Sequence, residues 1–208
     1  GLDDQFFAAP RLDNLVSVHA GLRALLDAES DHITVLAAFD HEEVGSETRT
    51  GAGGPMLEEV LHLMLASQDV PTHLQRSLIA HSTMLSADGG HLVHPNYAER
   101  HDPQHHPLPN AGPILKVNAT QRYLSDGRGA AKFARWAEQA GVPHQVFVSK
   151  NTQPSGSTIG PISATRLGME TIDAGIGLLS MHSAREMCGA QDPEHLAKLA
   201  AAFYHDRP

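Results

Sequence analysis

The sequence predicts an α/β fold, with a mainly parallel central sheet and helices on both of its faces. Three observations lead there. Short apolar runs alternate with stretches whose apolar residues recur at helical spacing. The run at residues 33–39, ITVLAAF, is apolar without interruption and includes β-branched residues, as strands covered on both faces do. Runs of this kind end in acidic residues, and α/β sheets place their ligands beyond the carboxyl ends of their strands.

Taken in order, residues 14–28 carry Leu15, Val18, Leu22, Leu25 and Leu26 on one helical stripe, read as the buried face. Asp13 stands where a helix N-cap belongs, and a cap or a functional carboxylate are equally open readings of it. A polar break, Glu29-Ser30-Asp31-His32, leads into the strand at 33–39, which stops at Asp40-His41-Glu42-Glu43. Adjacent side chains leave an extended backbone in opposite directions, so Glu42 and Glu43 do different jobs unless the chain turns between them. After a Gly-rich turn at 51–55, Met56, Leu57, Val60, Leu61, Met64 and Leu65 make a second amphipathic helix, its Met side chains expected to fill core. Residues 82–87, STMLSA, repeat the pattern of apolar strand and then acid, here Asp88.

Residues 91–113 are rich in Pro, His and Asn without any period, and read as a long loop. Its His91, His94, His101, His105 and His106 are open to two readings, a metal cluster or solvated loop side chains. Residues 114–118 form a strand with Ile114, Lys116 and Asn118 on one face, and a Lys midway along a strand needs a reason. Ser125 or Asp126 caps a helix to Ala140 that turns Phe133, Trp136, Ala137 and Ala140 inward, and Gly141 and Pro143 end it. A strand follows at 144–149, then a Gly-bracketed loop at 156–161 whose backbone N–H groups can approach a ligand. Residues 171–179 lead into Ser180-Met181-His182-Ser183. Asp192-Pro193 opens a last helix as cap and first-turn Pro, with Leu196, Leu199 and Phe203 as its stripe. No repeat, low-complexity tract or clear linker interrupts this, so one domain, or a large piece of one, is expected.

Composition excludes several function classes. A formal net charge of −9 argues against a nucleic-acid backbone as partner, which would call for clustered Lys and Arg. No apolar run approaches the roughly 20 residues that span a bilayer. The single Cys188 makes no internal disulfide, which fits a reducing, cytoplasmic setting. The 15 His residues, as many as Lys and Arg together, point instead toward metal.

Asp13, Glu42, Glu43, Asp88 and His182 each fall at or just beyond the end of an expected element. Carboxylates with imidazole suit zinc or a similar divalent ion, and the cysteine count rules out a thiolate site. A carboxylate can bridge two ions, and another that touches no metal can serve as general base. No HExxH helix or Gly-x-Ser-x-Gly elbow is present, so those hydrolase signatures are absent.

Six motifs then agree in order along nearly the whole chain: PRLDNL from Pro10, FDHEEVGS from Phe39, SADGGHLVHPNY from Ser86, KVNATQRY from Lys116, GSTIGPI from Gly156 and SMHSAREM from Ser180. Together they resemble the aspartyl aminopeptidase family, dizinc exopeptidases that remove amino-terminal Asp or Glu from peptides. The resemblance implies that Asp13 bridges two zinc ions, that Glu43 and His182 complete one site, and that Asp88 belongs to the other. It implies Glu42 as the general base that takes a proton from the attacking water and passes it to the leaving amine. It also implies Lys116 as the cation for the acidic side chain of the substrate, with Arg122 as its rival, and His91 and Tyr123 as further substrate contacts. Trp136 and Cys188 are left as core residues.

Small departures, Ser155 and Ser157 around the Gly-Ser-Thr loop and Ala184 after the His-Ser pair, leave the motifs intact. A larger one matters more. The family has an earlier His-containing motif, which supplies the remaining ligand of the Asp88 metal, and an inserted dimerisation domain; neither is found in these 208 residues. Residues 1–208 are therefore expected to be the C-terminal portion of the peptidase catalytic domain, with little or no activity alone. Family members assemble as homo-oligomers, and the resemblance implies dimers gathered into a dodecamer. Two other functions stay open: a related dizinc aminopeptidase with another side-chain preference, and a non-catalytic assembly subunit, although a scaffold has no use for Glu42 beside a metal ligand.

Overall fold

The computed structural model describes residues 1–206. In chain order its elements are β1 (Phe6–Ala9), α1 (Leu12–Leu26), α2 (Met56–Ser67), α3 (Thr72–Ala80), β2 (Thr83–Ala87), β3 (Gly90–His91), β4 (Ile114–Val117), α4 (Gly127–Ala140), β5 (Gln145–Val148), α5 (Ile159–Leu167), β6 (Glu170–Gly175), β7 (Gly177–Leu178), β8 (Glu186–Gly189) and α6 (Asp192–His205). The main sheet has the order β2-β6-β4-β5. β2 runs parallel to β6 and β4 parallel to β5, while β4 and β6 pair antiparallel, so the sheet is mixed, with parallel pairs on either side of one antiparallel seam.

Side-chain alternation on the strands sorts the layers. Ile172 and Ala174 of β6 turn to one face with Leu115 of β4, and there they meet Phe133, Trp136 and Ala137 of α4 and Leu199 of α6. Asp173, between them, turns to the other face, where Thr158 at the head of α5 donates to its Oδ1 at 2.7 Å. Helices thus cover both faces. The α4 cap is Asp126 rather than Ser125: its Oδ1 accepts the Gly129 N–H at 2.7 Å, and Gly141 closes the helix with φ 63°. Trp136 and Phe133 are 1% and 0% exposed, and each such burial contributes about 1.5–3 kcal/mol.

Beyond Ala87 the β2/β6 pair continues through a break into β3 and β7. The Asp88 N–H donates to Ala174 O at 2.9 Å and the Gly90 N–H to Ile176 O at 2.8 Å. Gly175 makes this approach possible, because a Cβ there would stand 1.7 Å from the Asp88 carbonyl oxygen. β1 and β8 form a separate antiparallel pair that brings residue 9 opposite residue 186.

Four expectations need correction. Residues 33–39 form no strand: a strand needs ladder partners, and this run lies across a groove of about 430 Å³ from β2, its Val35, Leu36 and Phe39 lining the groove with Met84 and Leu85. Ile33 is 55% exposed. On α1 the buried residues are Leu12, Val16, Ser17, Ala20 and Ala24, whereas Leu15, Leu22 and Leu26 are 58%, 46% and 76% exposed. Small side chains let α1 lie close against Ala197 and Ala200 of α6, which turns the leucine stripe outward. α2 has no fully buried residue, so Met64 lines an apolar hollow of about 360 Å³ rather than filling core.

Asp192 is also not a cap of its own helix. Its carboxylate accepts the N–H groups of Asn110 at 2.9 Å and Gly112 at 3.1 Å, and so ties the long loop to α6. Cys188 and Trp136 are core residues, and burial, followed by the Asp192 charge, pushes the Cys188 thiol up to about 12. Among the described residues no helix is long and apolar enough to cross a membrane.

Candidate metal centre

Asp13 enters the site from the start of α1, where its backbone is still non-helical (φ −80°, ψ 108°). The N-cap position belongs to Arg11, so Asp13 is not the cap. Its N–H donates to Glu186 Oε2 at 2.9 Å, and the next side chain, Asn14 Nδ2, donates to Ala87 O at 2.8 Å. That second bond fastens α1 to the last residue of β2, and so sets Asp13 beside Asp88.

Glu42 and Glu43 lie on a single 3₁₀ turn, residues 42–44, between His41 with φ 64° and Gly45 with φ 104°. The turn answers the problem posed by neighbouring acids, since both carboxylates stay close enough to Asp13 and Asp88 for the charges to act on one another. His182 sits in the turn between β7 and β8 with φ 65°, its N–H donating to Glu186 Oε1 at 2.7 Å. Its Nε2 lies 3.0 Å from Asp13 Oδ2 and 3.2 Å from Glu43 Oε2.

These contacts define a donor set. Asp13, Glu43 and His182 each offer one ligand atom, all within 4.8 Å of one another. Two carboxylates and an imidazole are a donor set that zinc accepts, so the residues present fit that ion. Asp13 also faces two ways: Oδ2 is turned to His182, while a side chain at Gly89, next to Asp88, would come within 3.1 Å of Oδ1. Asp88 itself is held by Lys116, whose Nζ donates to Asp88 Oδ2 at 2.9 Å and to Gly89 O at 2.6 Å.

Crowding of acids has the expected electrostatic effect. Burial first, then the charges of Asp88 and Glu43, raise Asp13 to about 6 against the partial relief that His182 gives. Burial, then Asp88, Glu43 and Asp13, raise Glu42 to about 7, with Lys116 pulling the other way. A bound cation would offset the negative charges behind both shifts.

The other expected site residues are placed as follows. Lys116 is 2% exposed, and the Tyr123 ring lies 5.4 Å from its Nζ. His91 stands exposed on β3, within electrostatic reach of Lys116, His182 and Asp88. The loop histidines turn to local partners: His105 pairs with Asp102 at 2.7 Å, His94 stacks near Tyr97, and His101 meets Phe147 edge-on. Among the described residues only the Asp13 group has metal-ligand spacing. The Gly-bracketed loop serves the fold, with Thr158 on Asp173 and α5 starting at Ile159.

Sequence reasoning missed Glu186 and Asn14. Glu186 is 2% exposed and lies on a strand whose next residues are Met187 and Cys188; an acid beside such an apolar pair was its one signal.

The family model described as "Aminopeptidase I zinc metalloprotease (M18)" matches residues 1–204. A relative from Streptomyces coelicolor named "Probable M18 family aminopeptidase 2" is 53% identical, the match covering 98% of this chain and 48% of the relative. The chain thus spans about half the length of the curated relatives it matches. Among solved structures, an M18 aminopeptidase from Thermotoga maritima superposes with a TM-score of 0.89 at 26% identity, covering 100% of this chain and 48% of that one. The mApe1 dodecamer of S. cerevisiae gives 0.86 at 35% identity, with 98% and 47% covered.

Proposed function

The chain belongs to the M18 family of aminopeptidase I zinc metalloproteases, and on that footing we propose that it carries most of the active site of an aminopeptidase that releases amino-terminal Asp and Glu from peptides. The observation that carries this reading is the convergence of Asp13, Glu43 and His182, with Glu42 and Asp88 beside them. Asp13, Glu43 and His182 would hold one zinc ion, and Asp13 and Asp88 would share in a second. Zinc bound there would polarise the scissile carbonyl and lower the pKa of the attacking water.

The remaining work falls to the chain. Glu42 takes a proton at its carboxylate from the attacking water and returns it to the leaving amine; its pKa of about 7 is that of the metal-free site, and a bound cation would draw it down. Lys116 has three donor hydrogens, two of them committed to Asp88 and Gly89, and the third would meet the carboxylate of an acidic side chain. His91 and Tyr123 complete the substrate contacts. The second metal needs a further ligand besides Asp13 and Asp88, so the activity is proposed for the full-length protein, and residues 1–208 alone are expected to turn over slowly or not at all. The whole protein is proposed to work in the cytoplasm, in keeping with the single Cys188, and as a homo-oligomer, which the yeast dodecamer supports.

One observation favours a second reading. Lys116 is almost fully buried and already paired, as expected of a residue that holds Asp88 rather than one that selects substrate. A dizinc aminopeptidase with another side-chain preference would follow. Elemental analysis of the full-length protein and its Asp13→Ala variant, with cleavage of aspartyl- and alanyl-anilides, tests both. Zinc lost with Asp13 supports the metal centre, and the ratio of the two cleavage rates decides the preference; zinc retained in the variant would remove the basis of the proposal.

A further inference from the structure

Two of the three clustered donors come from opposite ends of the chain, Asp13 from the first turn of α1 and His182 from the turn before β8. One side chain joins their backbones. Glu186, the first residue of β8 and 2% exposed, accepts the Asp13 N–H on Oε2 at 2.9 Å and the His182 N–H on Oε1 at 2.7 Å. Its two oxygens are rigidly spaced by the carboxylate, so the two main chains are held at a set separation. Both are backbones that regular structure does not hold: Asp13 departs from helix geometry, and His182 sits at φ 65°, which L-residues seldom adopt. The Asp13 N–H stands in the first turn of α1 and the His182 N–H in the turn before β8, and the side chains above them meet at 3.0 Å.

We propose that Glu186 is the positioning residue of the metal centre: without touching the metal, it fixes the separation at which Asp13 and His182 present their donor atoms. This rests on the reading of those two residues as ligands. Ligands are commonly oriented by hydrogen bonds from groups behind them, and losing such a group costs about 10- to 100-fold in metal affinity. Here the group acts on the main chain of two ligands at once. Gln in its place keeps one acceptor oxygen and turns an N–H₂ toward the other N–H, so one of the two bonds is lost. Asp keeps both oxygens on a stem one carbon shorter.

Asp192 supplies the control, because it too is a buried carboxylate, 1% exposed, that accepts two backbone N–H groups, from Asn110 and Gly112, and neither of those residues is a donor to metal. The experiment titrates Co²⁺ into the metal-free full-length protein, following the visible absorption of the bound ion, for wild type and for Glu186→Gln, Glu186→Asp, Asp192→Asn and Asp13→Ala. Hydrogen exchange at the Asp13 and His182 amides is measured on the same proteins. The expected result is a loss of about 10- to 100-fold in Co²⁺ affinity for Glu186→Gln, with an altered spectrum, a smaller loss for Glu186→Asp, and faster exchange at both amides. Asp192→Asn is expected to lower thermal stability and leave affinity and spectrum unchanged. Wild-type affinity in Glu186→Gln, or an equal loss in Asp192→Asn, would overturn the proposal while the ligand reading stood. Undiminished Co²⁺ binding by Asp13→Ala would instead remove the ligand reading, and the positioning role with it. Should the Gln variant not fold, the Asp variant gives the same decision.

Discussion

Lys116 donates to Asp88 across 2.9 Å, a pairing between a side chain 2% exposed and one 19% exposed. Burial, the largest single influence, lowers the ammonium pKa, but the Asp88 charge and hydrogen bond together with Tyr123 and Asp173 outweigh it, so the Lys116 pKa stays above its usual value. Removing the cation leaves Asp88 without its partner among carboxylates that already repel one another. Lys116→Met is therefore expected to destabilise the metal-free protein by about 3 kcal/mol, measured by urea unfolding. Zinc should restore much of that loss by taking over the Asp88 charge. In the full-length enzyme the same variant should cut the rate on aspartyl substrates more than on alanyl ones; equal losses would mean that Lys116 acts on Asp88 alone.

The raised carboxyl groups make the metal-free protein sensitive to pH in a definite direction. Asp13 moves from 3.8 to about 6 and Glu42 from 4.5 to about 7, so the folded state holds these protons more tightly than the unfolded state does. Above about 7 both groups are ionised in either state, and folding bears the whole cost of bringing the charges together. As pH falls through 7 and 6 the folded state takes up protons first, and stability rises until the unfolded chain is protonated as well, near 4. Thermal melts of metal-free protein should accordingly show a higher Tm at pH 5 than at pH 8 from these groups. The Asp13→Asn, Glu42→Gln double variant should show a flatter profile; an unchanged slope would place the pH response elsewhere.

Elements with a strong period were legible in the sequence. α4 and α6 showed their apolar stripes, and β2, β4 and β5 their short runs, because in each case the pattern and the packing partner lie within the chain. Residues 33–39 have the composition of a covered strand, but strand formation is a property of a pair, and β2 is a groove away. The α1 leucines were read inward by the rule that large apolar residues are buried; close packing through Ala20 and Ala24 reversed it. Asp13, Glu42, Glu43, Asp88 and His182 stand out in the sequence by their motifs, and the structure brings Asp13, Glu43 and His182 together. The role of Glu186 is not legible: its partners are main-chain N–H groups, which no residue type marks, and its place beside Met187 and Cys188 is the one signal it leaves.

Gly175 is the residue on which the Asp88 position depends most directly. A methyl group there would stand 1.7 Å from the Asp88 carbonyl oxygen, against backbone that has no flexible end to move aside. Gly175→Ala must push β2 and β6 apart where they pass into β3 and β7. The expected loss is about 3 kcal/mol in stability, read by chemical denaturation. Metal content should fall by the share that Asp88 would hold; a variant with native stability would show that the break between β6 and β7 yields more readily than its packing implies.

Glu42→Gln separates proton transfer from metal binding. Glu42 lies next to the donor Glu43 on the 42–44 turn, yet its carboxylate is outside the group whose ligand atoms lie within 4.8 Å of one another. Gln has nearly the same volume and no proton-accepting carboxylate, so the full-length variant should keep its zinc by elemental analysis. Its kcat should drop by about 10²- to 10⁴-fold, the range that a positioned general base supplies. The fall should appear in kcat with little change in KM, because Glu42 is assigned to the attacking water and not to the substrate. Zinc lost together with activity would recast Glu42 as a ligand, and turnover left intact would refute the assignment of the base and leave the proton at pH near 7 to be carried by another group.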